Sequence, residues 1–119
     1  MYKIPANIDL SFLIGAELDQ ISITLSQVYF KFDPEGVISI GSAMEVIDGG
    51  SAFAWDSEKA NIDLPIKKLF GTKVLKYTVE NDRTLVVAFD NGVLLRIYDN
   101  SDQYESFQIS DKSGDRYII

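Results

Sequence analysis

The chain has no cysteine and no histidine in 119 residues. Without thiols there is no disulfide framework and no cysteine nucleophile. Without imidazole the His-based triads and most general-base chemistry near neutral pH are excluded. Losing both residue types also removes the usual zinc ligand sets, and no cofactor or metal is expected. Basic residues are few: 11 Lys and Arg against 18 Asp and Glu give a net charge of −7. Nucleic-acid affinity comes mainly from neutralising phosphates with Lys and Arg, and adsorption to anionic lipid needs the same cations. Neither a nucleic acid nor a membrane is therefore an expected partner. Long apolar runs are also missing. Segments such as "FLIGA" and "LVVAF" fall far short of the ~20 residues of a membrane helix. The first residues, "MYKIPANIDL", carry Lys3, Pro5 and Asp9 in place of an unbroken apolar stretch, so no secretory signal is expected. Absence of cysteine fits a reducing compartment, and the expected location is cytoplasmic.

What is present reads as one folded domain. The length suits a single core, and 46% hydrophobic residues argue against disorder. Strand signals dominate. "ISI" and "VYFKF" alternate apolar and polar positions, which places Val28, Phe30 and Phe32 on one face. "TLVVAF" and "VLLRIY" are apolar on both faces, which predicts strands at the centre of a sheet, covered on both sides. "DNG" at Asp90 to Gly92 signals a primed two-residue hairpin turn. "DPEG" at Asp33 to Gly36 signals a type I turn with Pro34 at its first central position. "ENDR" marks a further turn. Two segments, "DLPIKKLFG" and "DLSFLIG", read as single helical turns, the first with Gly71 as its left-handed stop. The connections are too short for parallel crossovers, so the prediction is an all-β antiparallel fold, a barrel or a sandwich.

The same five residues, "ANIDL", occur at Ala6 to Leu10 and at Ala60 to Leu64. Each copy leads to a glycine, Gly15 or Gly71, and then to a β-rich run ending in Phe-Asp, at Phe32-Asp33 or Phe89-Asp90. Each then turns through a glycine followed by valine, at Gly36 or Gly92. The matched glycines lie 56 positions apart, and "AMEVIDGGSAF" occupies the place of "QYESFQISDKSGDRY". This order of features predicts an internal duplication, repeats of about 6–55 and 60–119 with five strands each. "DGGSAFAWDSEK", with the only tryptophan, is the expected link between them.

Eighteen acidic residues make a carboxylate pair easy to find, so a carboxylate-only enzyme of the glycosidase type stays open as a minor alternative. The densest acidic segment is "DNSDQYE", followed by Asp111 and Asp115. Asp99, Asp102, Tyr104 and Glu105 are the candidate partner-binding residues. Asp, Asn and Ser also occur there for turn chemistry, since they bond to their own backbone. Tyr29, Tyr98, Tyr104 and Tyr117 either form an interaction surface or cover the ends of the β core.

The second half, through "TLVVAFDNGVLLRIYDNSDQYESFQI", resembles a group of small bacterial β-domains. Their pattern is carried here by Leu85, Phe89, Asp90, Gly92, Leu95, Ile97, Tyr104, Glu105, Ser106 and Ile109. The first half is similar at "LIGAEL" and "VYFKFDPEGVISI". Several such domains are thought to be immunity proteins that neutralise secreted bacterial toxins. The resemblance implies a non-enzymatic protein that occludes a protein toxin and has no active site to carry over; the acidic balance of the chain implies that such a partner is basic. The alternative reading is a β-barrel with a small molecule inside. It requires a sizeable apolar cavity, whereas an immunity protein requires a filled interior and a polar working face.

Overall fold

The computed structural model describes residues 3–58, 64–100 and 106–119, the side chains of residues 66, 115 and 116 excepted. The second "ANIDL", at residues 60–64, lies outside the described residues except for Leu64. Ten strands and two helical turns follow in order. The first half holds a 3-10 turn (Ser11–Leu13), β1 (Glu17–Ile23), β2 (Val28–Asp33), β3 (Val37–Ile40), β4 (Ala43–Asp48) and β5 (Ser51–Asp56). The second holds α1 (Ile66–Leu69), β6 (Val74–Asn81), β7 (Thr84–Phe89), β8 (Leu94–Tyr98), β9 (Phe107–Asp111) and β10 (Gly114–Ile118). Both expected helical turns are present. No described helix is long and apolar enough to cross a membrane.

The strands form two antiparallel five-stranded sheets, ordered β1-β2-β3-β9-β10 and β5-β4-β8-β7-β6. Neither sheet closes into a barrel. Alternation decides which face is buried. Val28, Phe30 and Phe32 of β2 point inward, as the pattern predicts, and so do Ile38 and Ile40 of β3. The other sheet contributes Leu85, Val87 and Phe89, Leu95 and Ile97, Met44 and Val46, and Trp55. All of these belong to one contiguous core. "ISI" departs from the expectation: Ile21 is only half-buried and Ile23 is 49% exposed. β1 is an edge strand: only its first residues, Glu17 and Leu18, are bonded on the outer side, and no described strand pairs there alongside Ile21 and Ile23.

The two sheets mirror each other in topology. Adding five to the numbers of β1, β2 and β3 and subtracting five from those of β9 and β10 turns the order β1-β2-β3-β9-β10 into β6-β7-β8-β4-β5, which is the second sheet read backwards. Each sheet thus takes three strands from one half of the chain and a hairpin from the other. Where the halves meet, four backbone bonds repeat with the sequence period. Gly15 N–H donates to Val74 O (2.8 Å) and Gly71 N–H to Leu18 O (3.0 Å). Leu18 N–H donates to Thr72 O (2.8 Å) and Val74 N–H to Ala16 O (3.0 Å). A shift of 56 positions converts each bond into its mate. Between them Glu17 bridges Lys73, its own counterpart. The two Phe-Asp phenylalanines also meet: Phe32 and Phe89 stack with ring centroids 6.5 Å apart and planes 11° from parallel.

Several local expectations are corrected. "DGGSAFAWDSEK" is not a link: Gly49 and Gly50 turn the β4–β5 hairpin, and Trp55 is a core residue of β5. The "DNG" turn is not primed, because no residue other than glycine has positive φ among the described residues. Gly92 N–H bonds to Phe89 O (3.1 Å) and Phe89 N–H to Val93 O (3.0 Å), with Gly92 at φ +88°. This is a three-residue loop, a type I turn completed by a glycine bulge. Asn91 instead uses its side chain, donating to Lys68 O (2.7 Å) and accepting from Val93 N–H (3.2 Å). The Asp33–Pro34 peptide is cis, so residues 33–36 do not make the trans-proline type I turn. The pairing Phe32 N–H to Gly36 O corresponds to Phe89 N–H to Val93 O, a shift of 57. Gly36 therefore matches Val93 in structure, not Gly92 as the sequence suggests.

β7 is buried on both faces, as its sequence predicts, whereas β8 differs from expectation. Every residue of β7 is buried, including the small outward-facing ones. Mostly longer side chains flank these on both neighbouring strands. Val86 lies between Arg96 and Thr78, Ala88 between Leu94 and Lys76, and Thr84 between Tyr98 and Asn81. Long amphipathic side chains lay their stems on apolar surface while their heads stay wet. Small β7 side chains are buried by this means. β8 is buried on one face only, with Leu94, Arg96 and Tyr98 half-buried.

Candidate functional site

Of the four candidate residues, only Asp99 is described; Asp102, Tyr104 and Glu105 lie outside the described residues. Asp99 is not a surface carboxylate. Its side chain has no exposed area, and it accepts from Ser106 Oγ–H at 2.8 Å and from Arg83 Nη1–H at 3.2 Å. Its backbone N–H donates to Arg83 O (2.9 Å). Asp99 thus ties the end of β8 to the β6–β7 turn and to the start of β9. The loop it anchors is where the two halves differ most in length. β3 connects to β4 through two residues, Gly41 and Ser42, and β8 connects to β9 through eight, 99–106. Aspartate spacing alone carries no sign of this, because burial of Asp99 depends on Arg83 arriving from another strand pair.

The tyrosines divide. Tyr29 is half-buried and donates to Gln27 Oε1 (2.5 Å). Tyr117 packs against the core and accepts from Asp9 N–H (2.9 Å). Tyr98 belongs to a charged row on the outer face of the β4–β8 pair. There Arg96 reaches Glu80 (2.6 Å) and Glu45 (3.6 Å), and Tyr98 OH points to Glu45 Oε1 at 3.4 Å. The hydrogen bond to Glu80 holds the Arg96 guanidinium above its ordinary value, against the effect of burial. Burial, then the negative charge of Glu45, raises the Tyr98 phenol above its ordinary value. Arg96 Nε is buried without a hydrogen-bond partner. This row covers β7 and holds three strands in register.

A second place gathers charge from distant parts of the chain. The 3-10 turn, the β2–β3 turn and the β9–β10 turn surround an open cleft of about 310 Å³. Its walls include Asp9, Phe12, Glu35, Asp111, Lys112 and Tyr117. Backbone bonds fix the carboxylates. Asp9 Oδ1 accepts from Ser11 N–H (3.0 Å), Glu35 Oε2 from Lys112 N–H (3.1 Å) and Asp111 Oδ1 from Ser113 N–H (2.8 Å). Among the described side chains, three carboxylates and one ammonium line the space. Sequence reasoning noted Asp111 only as part of the acidic tail and missed Asp9 and Glu35. Neither stands near Asp111 in the chain, and the contact of Glu35 with Lys112 spans 77 positions.

No group of three or more metal-ligating side chains occurs among the described residues. No family model, no curated protein and no solved structure matches the chain.

Proposed function

We propose that this chain is a non-enzymatic binding protein that occludes a basic protein partner, in the manner of an immunity protein acting on a toxin in the cytoplasm. The observation that carries this reading is the single buried cluster to which both sheets contribute. Phe30, Phe89, Phe107, Trp55, Met44 and the aliphatic residues around them form one buried cluster, so recognition belongs on the surface. That favours a surface binder over a barrel with an internal ligand. A net charge of −7 and a carboxylate-lined cleft suit a cationic surface. Attraction of this kind speeds encounter by about 10- to 1,000-fold. The gain falls as salt shortens the screening length from about 10 Å at 0.1 M to about 3 Å at 1 M.

We further infer that the two sheets pack as a sandwich built by internal duplication. The strand-order mirror, the four bonds repeated at 56 positions and the Phe32–Phe89 stack support that reading. The exchanged hairpins mean that neither half completes a sheet alone, so one rigid surface is presented by the whole chain.

The test of function is to produce the protein encoded beside this chain with and without it. Relief of toxicity together with a one-to-one complex, whose association slows with salt, is the expected result. A neighbour that is harmless alone, or a toxin that neither binds nor is neutralised, removes the immunity reading.

A further inference from the structure

Asn91 is the only asparagine that a glycine follows; the others precede Ile8, Ile62, Asp82 and Ser101. An asparagine reacts most readily with its own backbone when glycine comes next, because glycine has no side chain to shield its amide nitrogen. The pair stands in the β7–β8 turn with both residues exposed, so water and base reach it. The space beside Gly92 is open, since a Cβ built there meets nothing within 4 Å. Three bonds nevertheless fix the reacting atoms. Asn91 Nδ2–H donates to Lys68 O (2.7 Å), 23 positions away, and Asn91 Oδ1 accepts from Val93 N–H (3.2 Å). Gly92 N–H, whose proton has to leave, donates to Phe89 O (3.1 Å). Lys68 belongs to α1, which is itself held in place by the Lys68 ammonium on Asp48 (2.5 Å) and by the fully buried Leu69. The first half has Glu35 before the glycine of its matching turn, so the reactive pair belongs to one half only.

We propose that Asn91 is a latent deamidation site, held unreacted by its grip on the Lys68 carbonyl, and that its conversion releases α1. The Gly92 nitrogen attacks Asn91 Cγ. The N–Cγ bond forms and the Cγ–Nδ2 bond breaks. The Gly92 amide proton passes through solvent to Nδ2, which departs as ammonia. Water then opens the succinimide ring at either carbonyl and leaves a carboxylate, as aspartate or as isoaspartate. Both products have lost the donor to Lys68 O and set a negative oxygen against that carbonyl. Isoaspartate also lengthens the backbone by one carbon before Gly92, which disturbs the pairing of Phe89 N–H with Val93 O. The reaction needs only water and no partner, so it is independent of the binding reading above.

The test keeps the full chain in mildly alkaline buffer, folded or unfolded in guanidinium chloride, with samples digested by trypsin at intervals. The fragment 84–96 holds Asn91 as its only side-chain amide, so its mass reads this site alone. Conversion is expected in guanidinium chloride, and in the folded chain at a rate lower by roughly 10-fold or more, the factor for first breaking two hydrogen bonds. Lys68→Gly keeps the carbonyl but loosens α1 and removes its ion pair with Asp48. The Lys68 side chain is exposed, so this variant folds. It is expected to speed conversion roughly 3- to 10-fold in the folded chain and to leave the unfolded rate unchanged. The converted protein, one charge more negative, is separated by anion exchange. Its Lys68 N–H, which donates to Pro65 O, is expected to exchange with solvent roughly 2- to 12-fold faster by NMR, the factor for one lost hydrogen bond. No conversion in guanidinium chloride, equal rates folded and unfolded, or a folded rate unmoved by Lys68→Gly overturns the proposed site and its protection. Unchanged exchange at Lys68 in the converted protein overturns the release of α1.

Discussion

Gly36 is the position where a single methyl group should do most harm. Its φ is +116°, beyond the small left-handed well near +50 to +70° that other residues can use. A Cβ built there lies 2.5 Å from Leu13 Cδ2 and 3.4 Å from Phe12 Cε2. Leu13 has no exposed surface, so its methyl group has little room to swing away. Backbone strain of about 1–3 kcal/mol adds to overpacking of about 1–3 kcal/mol. Stiffening of the unfolded chain returns about 0.4–1 kcal/mol. Gly36→Ala is therefore expected to destabilise by roughly 2–5 kcal/mol. Gly92→Ala is the control. It has φ +88° but meets nothing within 4 Å, so only backbone strain applies and the expected loss is about 1–2 kcal/mol. Urea unfolding followed by fluorescence of Trp55, which is buried, reads both. Leu13→Val removes the clashing atom at a cost of about 0.5–1.5 kcal/mol, and in that background Gly36→Ala should become cheaper by about 1–3 kcal/mol. Equal losses for the two glycines, or strict additivity with Leu13→Val, would show that the close approach is not what constrains Gly36.

Three further outcomes are expected. Asp99→Ala removes the acceptor of Ser106 Oγ–H and the carboxylate paired with Arg83. It should cost about 2–4 kcal/mol in urea unfolding, tempered because Arg83 is 34% exposed and can turn to water. Asp99→Asn, which keeps an acceptor, should cost less, and no effect from either would mean that this anchor is dispensable. Tyr98 has its folded value raised above the ordinary 10.0. The native state therefore holds the phenol proton more tightly, and this contribution is complete below pH 10 and lost as pH rises through the folded value. Wild-type stability should then fall more steeply than that of Tyr98→Phe as the pH rises above about 10, and parallel curves there would contradict the assignment. Finally, a protease site inserted after Glu58 and cut in the folded protein should leave one particle on gel filtration. β9–β10 stays on β3 and β4–β5 stays on β8. Two half-sized species without denaturant would mean that the halves are independent.

How much could be read in advance follows from the range of each interaction. Strand positions, the two helical turns and the glycine breaks were legible because alternation, turn chemistry and left-handed φ are properties of a few neighbouring residues. Val28, Phe30 and Phe32 face inward for that reason alone. The doubled order of features was legible too, since it needs only comparison of one segment with another. Sheet membership was not. A hairpin carries no local mark saying whether it will pair within its own half or cross to the other, and β4–β5 joins β8 because their registered side chains bury together. The one-residue slip that sets Gly36 against Val93 is also invisible before strands pair. Asp99 looked like a surface carboxylate until Arg83 and Ser106 enclosed it. The cleft is wholly a product of packing: Asp9, Glu35 and Asp111 come from three separate turns, and only the closing of β9 onto β3 brings their charges to one place.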